Sequence, residues 1–304
     1  MKKVHLYALM MLLTSLLWAG NFVISKSLIE HGSTITLSAL RWLIAVIVLI
    51  PMVWKKEKKL TPPKKAIKPL FFMALTGVVL FNVFQFQALN YTSSTNVGLI
   101  STLNTVFIAI FSVIFLKEKI NLLQVGAIGL SFIGVLVVLT NGNVAELTSL
   151  NLNIGDLWML MASLIWGMYA VFSKHAMNYV SPLMATLYAG VFGVLILTPF
   201  AIIEGSFITN IDTVFILSLL YTGVVSTVVC MVLWNLGVQK LGATNAGLFL
   251  NFNPIFTAIL AMLILGEEIT LFQVVGGLIV IIGCFLFTRF NRLEGLKKIR
   301  LFES

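Results

Sequence analysis

The sequence predicts an all-α membrane protein: ten transmembrane helices in two inverted five-helix repeats around a central cavity. The first ground is composition. Of 304 residues, 59% are hydrophobic and 10% charged, with a mean hydropathy of +1.04. A soluble chain of this length cannot hide that much apolar surface, so the solvent is lipid. The second ground is duplication. Trp18, Ser25, Lys26 and Pro51 recur as Trp166, Ser173, Lys174 and Pro199, each 148 residues later. Thr95-Asn96-Val97-Gly98-Leu99 recurs as Thr244-Asn245-Ala246-Gly247-Leu248, 149 residues later. Asn104, Phe107, Glu118, Gln124 and Gly134 keep that second spacing. The third ground is parity. Each copy holds five apolar segments, an odd number, so the second copy enters the membrane from the opposite face. Repeats of that kind offer two similar arrangements around a midplane site, which points to a transporter.

A span needs about 20 mostly apolar residues. Ten segments qualify: 6–25, 34–54, 68–90, 95–116, 121–140, 154–174, 182–203, 212–236, 244–265 and 270–288. They fall into a first unit, 6–140, and a second, 154–288, followed by a basic tail, 289–304. Of the connections, 55–67 is Lys-rich and 141–153 is Asn-rich. The first segment is not read as a cleaved signal peptide. It lacks a small-x-small cleavage site, and residues 15–26 are echoed in mid-chain at 163–174.

Basic residues set the orientation. With the N-terminus inside, 18 of the 20 lysines and arginines fall on the cytoplasmic side; Lys26 and Arg41 fall toward the outside. This obeys the positive-inside rule and puts both termini in the cytoplasm of a cell-membrane protein. The net charge of +9 is therefore topological, with some attraction to anionic lipid, and nucleic acid is not an expected partner.

Polar residues within the spans indicate which faces turn inward, because a polar side chain in lipid needs a partner or a wet cavity. On the first span Thr14, Trp18, Asn21, Phe22 and Ser25 share one helical face. Ala162, Trp166, Tyr169, Ala170 and Ser173 form the matching face of the sixth. The third offers Asn82 and Gln85. The eighth offers Thr222, Ser226, Cys230 and Trp234 at steps of four, with Asn235 adjacent. The fourth offers Asn96 and Asn104; the ninth offers Asn245 and Asn253, followed by Pro254, which is expected to kink it. These faces are expected to converge on a cavity of aromatic rings and uncharged amides. The competing reading is that small and amide residues pack and cross-bond the helices. Tryptophan also anchors at membrane interfaces.

Arg41 lies about seven residues into the second span, where it either snorkels outward or faces the cavity. Lys26 and Lys174 sit at span ends and can snorkel. Glu118 and Glu267 recur between the last two spans of each half, where they are expected to cap the next helix or pair with neighbouring backbone; a proton relay is the other reading. Gly126, Gly129 and Gly134, with Gly276, Gly277 and Gly283, mark the fifth and tenth spans as supporting or dimer-facing helices. Cys230 and Cys284 give no metal or disulfide framework, and the three histidines do not cluster. No catalytic set and no Gly-rich phosphate loop is visible, so neither an intramembrane enzyme nor an ATP-driven pump is expected, and no cofactor.

The order of these features resembles the EamA family of the drug/metabolite transporter superfamily. The resemblance rests on Trp18, on Arg41-Trp42-Leu43 in the second span, on Tyr91-Thr92-Ser93-Ser94-Thr95-Asn96 before the fourth, and on Leu265-Gly266-Glu267-Glu268 after the ninth. It implies spans one, three, four, six, eight and nine around a central cavity, with five and ten to the side. It also implies metabolite transport, often export of amino acids or related molecules. An importer or facilitator of another solute, and a non-transporting sensor or assembly protein, are the alternatives. Protons are a candidate coupling ion. The halves depart from each other at Arg41, answered by Ala189, and at Asn21, answered by Tyr169.

Overall fold

The computed structural model describes residues 2–116, 121–140, 142, 153–205 and 208–302. Of residues 2–4, 139, 284, 287–288 and 291–302 only the backbone is described, so the side chains of Cys284 and of the tail beyond Phe290 lie outside it, as does Glu118. The helices, in chain order, are α1 Lys2–Leu28, α2 Thr34–Glu57, α3 Lys64–Tyr91, α4 Ser94–Leu116 and α5 Leu122–Leu139. They continue as α6 Ile154–Ala176, α7 Pro182–Glu204, α8 Thr213–Leu241, α9 Ala243–Leu265 and α10 Leu271–Phe302. No strand occurs among the described residues.

Polar caps set where each apolar run begins. Ser33, Ser93, Asn153, Ser181 and Asp212 accept backbone N–H bonds at the starts of α2, α4, α6, α7 and α8. Asn121 and Gln124 form a reciprocal capping box at α5, and Thr270 and Gln273 do the same at α10. Each cap satisfies donors that lipid cannot.

By length and hydropathy, eight described helices can cross a bilayer: α1–α4 and α6–α9. α5 and α10 are apolar over Leu122–Val138 and Leu271–Gly283, the stretches in which their side chains are described without a break. The other two expected spans, 121–140 and 270–288, lie on these two helices. The stretch expected as a separate tail is continuous with α10, which has 32 residues.

Packing follows the small residues. α5 and α10 lie against each other along glycines. A Cβ on Gly134 would stand 2.7 Å from the Gly276 carbonyl oxygen and the Val280 nitrogen, and one on Gly283 would stand 2.8 Å from the Ser131 nitrogen. Gly126 and Gly129 have nothing within 4 Å. α2 packs on α7, and α3 and α4 pack on α6. α1 runs against α8 and α9. α1 and α6 therefore carry their repeated tryptophans into the middle of the bundle.

Four of the helices are irregular, at corresponding places in the two halves. α3 widens to π-helical turns over Ala74–Leu80, and α8 does so over Tyr221–Val229. α4 is interrupted at Ser101 and Thr102, whose hydroxyls donate back to the carbonyls of Gly98 (2.7 Å) and Leu99 (2.6 Å). α9 narrows to a 3-10 helix over Leu248–Phe252 and resumes at Asn253 with Pro254 in its first turn. The break expected at Pro254 thus precedes it: proline's fixed φ suits a helix start, and its missing N–H is not needed there. Thr105 of α4 joins the two breaks, donating to the Gly247 carbonyl (2.8 Å) and Asn251 Oδ1 (2.9 Å).

Candidate functional site

Rings from both halves meet at the centre of the bundle. Trp18 and Trp166 stand edge to face, centroids 5.2 Å apart at 89°. Trp234 closes the triangle at 5.7 Å from Trp18 and 5.5 Å from Trp166. Tyr169 and Phe81 flank Trp166 at 4.8 and 4.7 Å. The Trp18 indole N–H donates to the Ser226 carbonyl, 3.1 Å away in the π-helical part of α8. That carbonyl sits in a wide turn, where the ordinary helical pairing is altered.

Beside the rings lies a cleft lined by Trp18, Asn21, Phe22, Arg41, Trp42, Gly77, Phe81, Asn82, Gln85, Asn104, Trp166, Ser226, Thr227, Met231, Leu250 and Asn253. It draws on α1, α2, α3, α4, α6, α8 and α9. It is narrow: about 30 Å³, room for a water or two at the roughly 10–15 Å³ each requires.

Of the residues selected from sequence, the cleft brings together Trp18, Asn21, Phe22, Arg41, Asn82, Gln85, Asn104, Trp166 and Asn253. Arg41 does not snorkel. It is 4% exposed, and its guanidinium donates to Thr227 Oγ1 (3.0 and 3.2 Å), Ser226 Oγ (3.1 Å) and the Thr222 carbonyl (3.4 Å). Asn82 donates to the carbonyls of Gly77 (3.0 Å) and Val78 (2.9 Å), serving the π-helical turn of α3.

Tyr169, Trp234 and Asn235 are buried beside the cleft but do not line it. Asn235 Oδ1 accepts from Tyr169 (3.1 Å) and Ser173 (2.8 Å), and its amide donates to Thr186 Oγ1 (2.9 Å). This is the cross-bonding role that small and amide residues can play.

Asn96 and Asn245 lie elsewhere, and differently from each other. Asn96 donates to Asp156 (3.2 and 3.3 Å) and accepts from Gln273 (2.7 Å). Asn245 is exposed and donates to the Leu241 carbonyl (2.9 Å). Asp156 is a buried carboxylate that also accepts from Thr92 (2.6 Å). Sequence reasoning passed over it, because one acid in the first turn of a helix reads as a dipole partner. Around it, Lys26 donates to the carbonyls of Leu89 and Thr92. Glu267 accepts from the backbone N–H groups of Ser94 (2.9 Å) and Thr95 (3.0 Å) and from the Thr95 hydroxyl (2.7 Å). Of the two structural roles expected for Glu267, it takes the pairing with backbone, at the start of α4 of the first half, and does not cap the next helix. Glu118 falls outside the described residues.

Trp42, Gly77, Phe81, Thr227, Met231 and Leu250 line the cleft without having been selected. Trp42 follows Arg41 directly, and its indole packs over the position of Gly190. The rest are small or apolar residues that sequence alone cannot tell from ordinary packing.

A bundle of helices long and apolar enough to cross a bilayer defines a multi-pass membrane protein. The sequence profile of the EamA-like transporter family matches the chain twice, over residues 5–140 and 153–289. The chain belongs to that family and is a transporter of its type. It is 31% identical over 284 residues to an uncharacterized transporter of Archaeoglobus fulgidus, covering 92% of this chain and 96% of the relative. It is 29% identical over 286 residues to the uncharacterized transporter YyaM of Bacillus subtilis, covering 93% of each. A solved crystal structure matches 93% of this chain and 96% of its own at a TM-score of 0.68 and 17% identity, a likeness of fold.

Proposed function

We propose that this protein is a secondary transporter that moves small metabolites by alternating access, and that it exports amino acids or related compounds. Its units are taken as 6–140 and 154–288, with 289–304 as a basic cytoplasmic extension. In this reading ten helices form two inverted halves in the cell membrane, with both termini in the cytoplasm.

The observation that carries the reading is the central cleft. It is lined by repeat-related pairs, Trp18 with Trp166 and Asn104 with Asn253, one member from each matched unit. A site shared between two similar halves can open to either face when the halves rock against each other. The side chains suit a solute with an apolar body and a few hydrogen-bonding groups: rings for the body, amides and one guanidinium for the polar ends. Halves that tilt in this way need helices that bend, and α3, α4, α8 and α9 each depart from regular α-helix beside the cleft.

The test is a proteoliposome screen of labelled amino acids, with and without an imposed pH gradient. At least one amino acid is expected to exchange across the membrane. Movement that follows the gradient assigns protons as the coupling ion, and movement indifferent to it assigns facilitated diffusion. Folded protein that moves none of them ends the amino-acid reading. Trp166→Ala is expected to lower exchange about tenfold or more if the ring contacts the moving solute, as a 1.4 kcal/mol loss would do. Unchanged exchange removes the ring cluster from the pathway.

A further inference from the structure

We propose that Arg41 is the anion-holding residue of the central cleft, and that the solute it takes carries a carboxylate. This rests on the transporter reading above and narrows it to one chemical class.

The argument begins with an unanswered charge. Arg41 is 4% exposed within a bundle of apolar helices. Its hydrogen bonds among the described residues go to two hydroxyls and one carbonyl, all neutral, and Nη1 has no partner. The Phe86 ring lies 5.9 Å from Cζ and supplies a modest attraction. No acidic residue lines the cleft. A buried guanidinium without a counter-charge is costly, and it is kept where something else supplies the anion.

The neighbouring atoms point the same way. Trp42 Nε1, Gln85 Nε2 and Trp166 Nε1 are buried donors without partners, on residues that line the same cleft. Buried donors are rarely left unmade, and a stranded one marks a place where water, an ion or a ligand completes the bond. Four open donors, one of them charged, form a set for an acceptor-only group. A carboxylate accepts through two oxygens, so it can take a charge-assisted bond from the open Nη1 and further bonds from neighbouring neutral donors. The open acceptors in the cleft are Asn104 Oδ1 and Asn253 Oδ1, repeat-related amides that suit the N–H groups of the same solute.

The test uses purified full-length protein in lipid nanodiscs, titrated calorimetrically with each proteinogenic amino acid. Every binder is then compared with its carboxamide and its decarboxylated amine. The acid is expected to bind at least about tenfold more tightly than the amide, since charge-assisted bonds are lost with the charge. That ratio is expected to fall to about one in Arg41→Gln and to survive in part in Arg41→Lys. A purely packing role for Arg41 would weaken acid and amide alike and leave the ratio unmoved.

Equal binding of acid and amide by the native protein overturns the proposal. So does a ratio retained in Arg41→Gln, or binding of no acid at all. If Arg41→Gln does not fold, the ratios of the native protein and Arg41→Lys decide. Counterflow in proteoliposomes separates the two readings. A solute moved without acid preference removes the carboxylate site and leaves the transporter. An acid bound with preference but never moved does the reverse.

Discussion

At residue 235 an amide is buried among three neutral partners on two other helices, α6 and α7. Its removal strands the hydroxyls of Tyr169 and Ser173, while that of Thr186 keeps its bond to the Pro182 carbonyl. Asn235→Leu is therefore expected to destabilise the bundle by about 1–3 kcal/mol, the range for stranded buried polar groups. Equilibrium unfolding in mixed detergent measures this; a loss below about 0.5 kcal/mol would fit the weaker end of bonds within membranes. Residues of this kind show how far sequence reaches. Trp18 and Trp166 stood out because a bulky ring is repeated at one spacing on one helical face, though the sequence left anchoring at the membrane interface open beside a place in the cavity. Asn96 and Asn245 were equally well repeated, yet one is bonded to a buried carboxylate and the other is exposed. Repetition fixes a place along a helix. It does not say which end of the bundle is drawn together. Arg41 read two ways in the sequence because snorkelling and burial depend on the hydroxyls of a helix nearly two hundred positions away.

Among elements, the join between Glu267 and the start of α4 ties one half to the other. Two backbone donors and a hydroxyl end on a single carboxylate at a helix N-terminus. Glu267→Ala is expected to cost about 0.5–2 kcal/mol, as loss of a capping side chain does, with a further few tenths from the helix dipole. Thermal unfolding of the purified protein reads it; an unchanged midpoint would mean water replaces the carboxylate. The α5–α10 contact is of another kind, because backbone meets backbone at Gly134 and Gly276. Gly134→Val pushes carbon into a carbonyl that cannot move aside, an overpacking cost of about 1–3 kcal/mol. The glycine pattern announced close approach in the sequence. It left the partner open, and the partner at Gly134 is α10 of the same chain. Helix type was less legible than helix place. Hydropathy locates α3 and α8, but π-helical turns depend on which carbonyls are claimed from outside the helix, as Arg41 claims that of Thr222.

Over the whole molecule, the network of Lys26, Thr92, Asn96, Asp156, Glu267 and Gln273 gathers the ends of α1, α3, α4, α6, α9 and α10. The corresponding asparagine of the other half, Asn245, stands exposed. In the orientation proposed from the lysines, the gathered end is outside and Asn245 is inside. A single cysteine at 245 is then expected to react with an impermeant maleimide in inside-out vesicles and not in intact cells, and a cysteine at 96 to react poorly in both. Labelling of Asn245→Cys from outside would reverse the orientation.

The cradle around Arg41 also records a difference between the halves. Thr76-Gly77-Val78-Val79 recurs as Thr222-Gly223-Val224-Val225, 146 residues later, whereas Val83 and Val232 stand 149 apart. The second copy is thus three residues longer just after its glycine, in the stretch holding Ser226 and Thr227, and its π-helical segment has nine residues against seven. The charge those hydroxyls hold is itself private to the first copy, since Ala189 answers Arg41. Key and lock therefore descend from different copies of one ancestral unit. A chain joined from two first halves would carry two guanidinium groups and no hydroxyl cradle, and one joined from two second halves the cradle alone. The two units are no longer spare parts for each other.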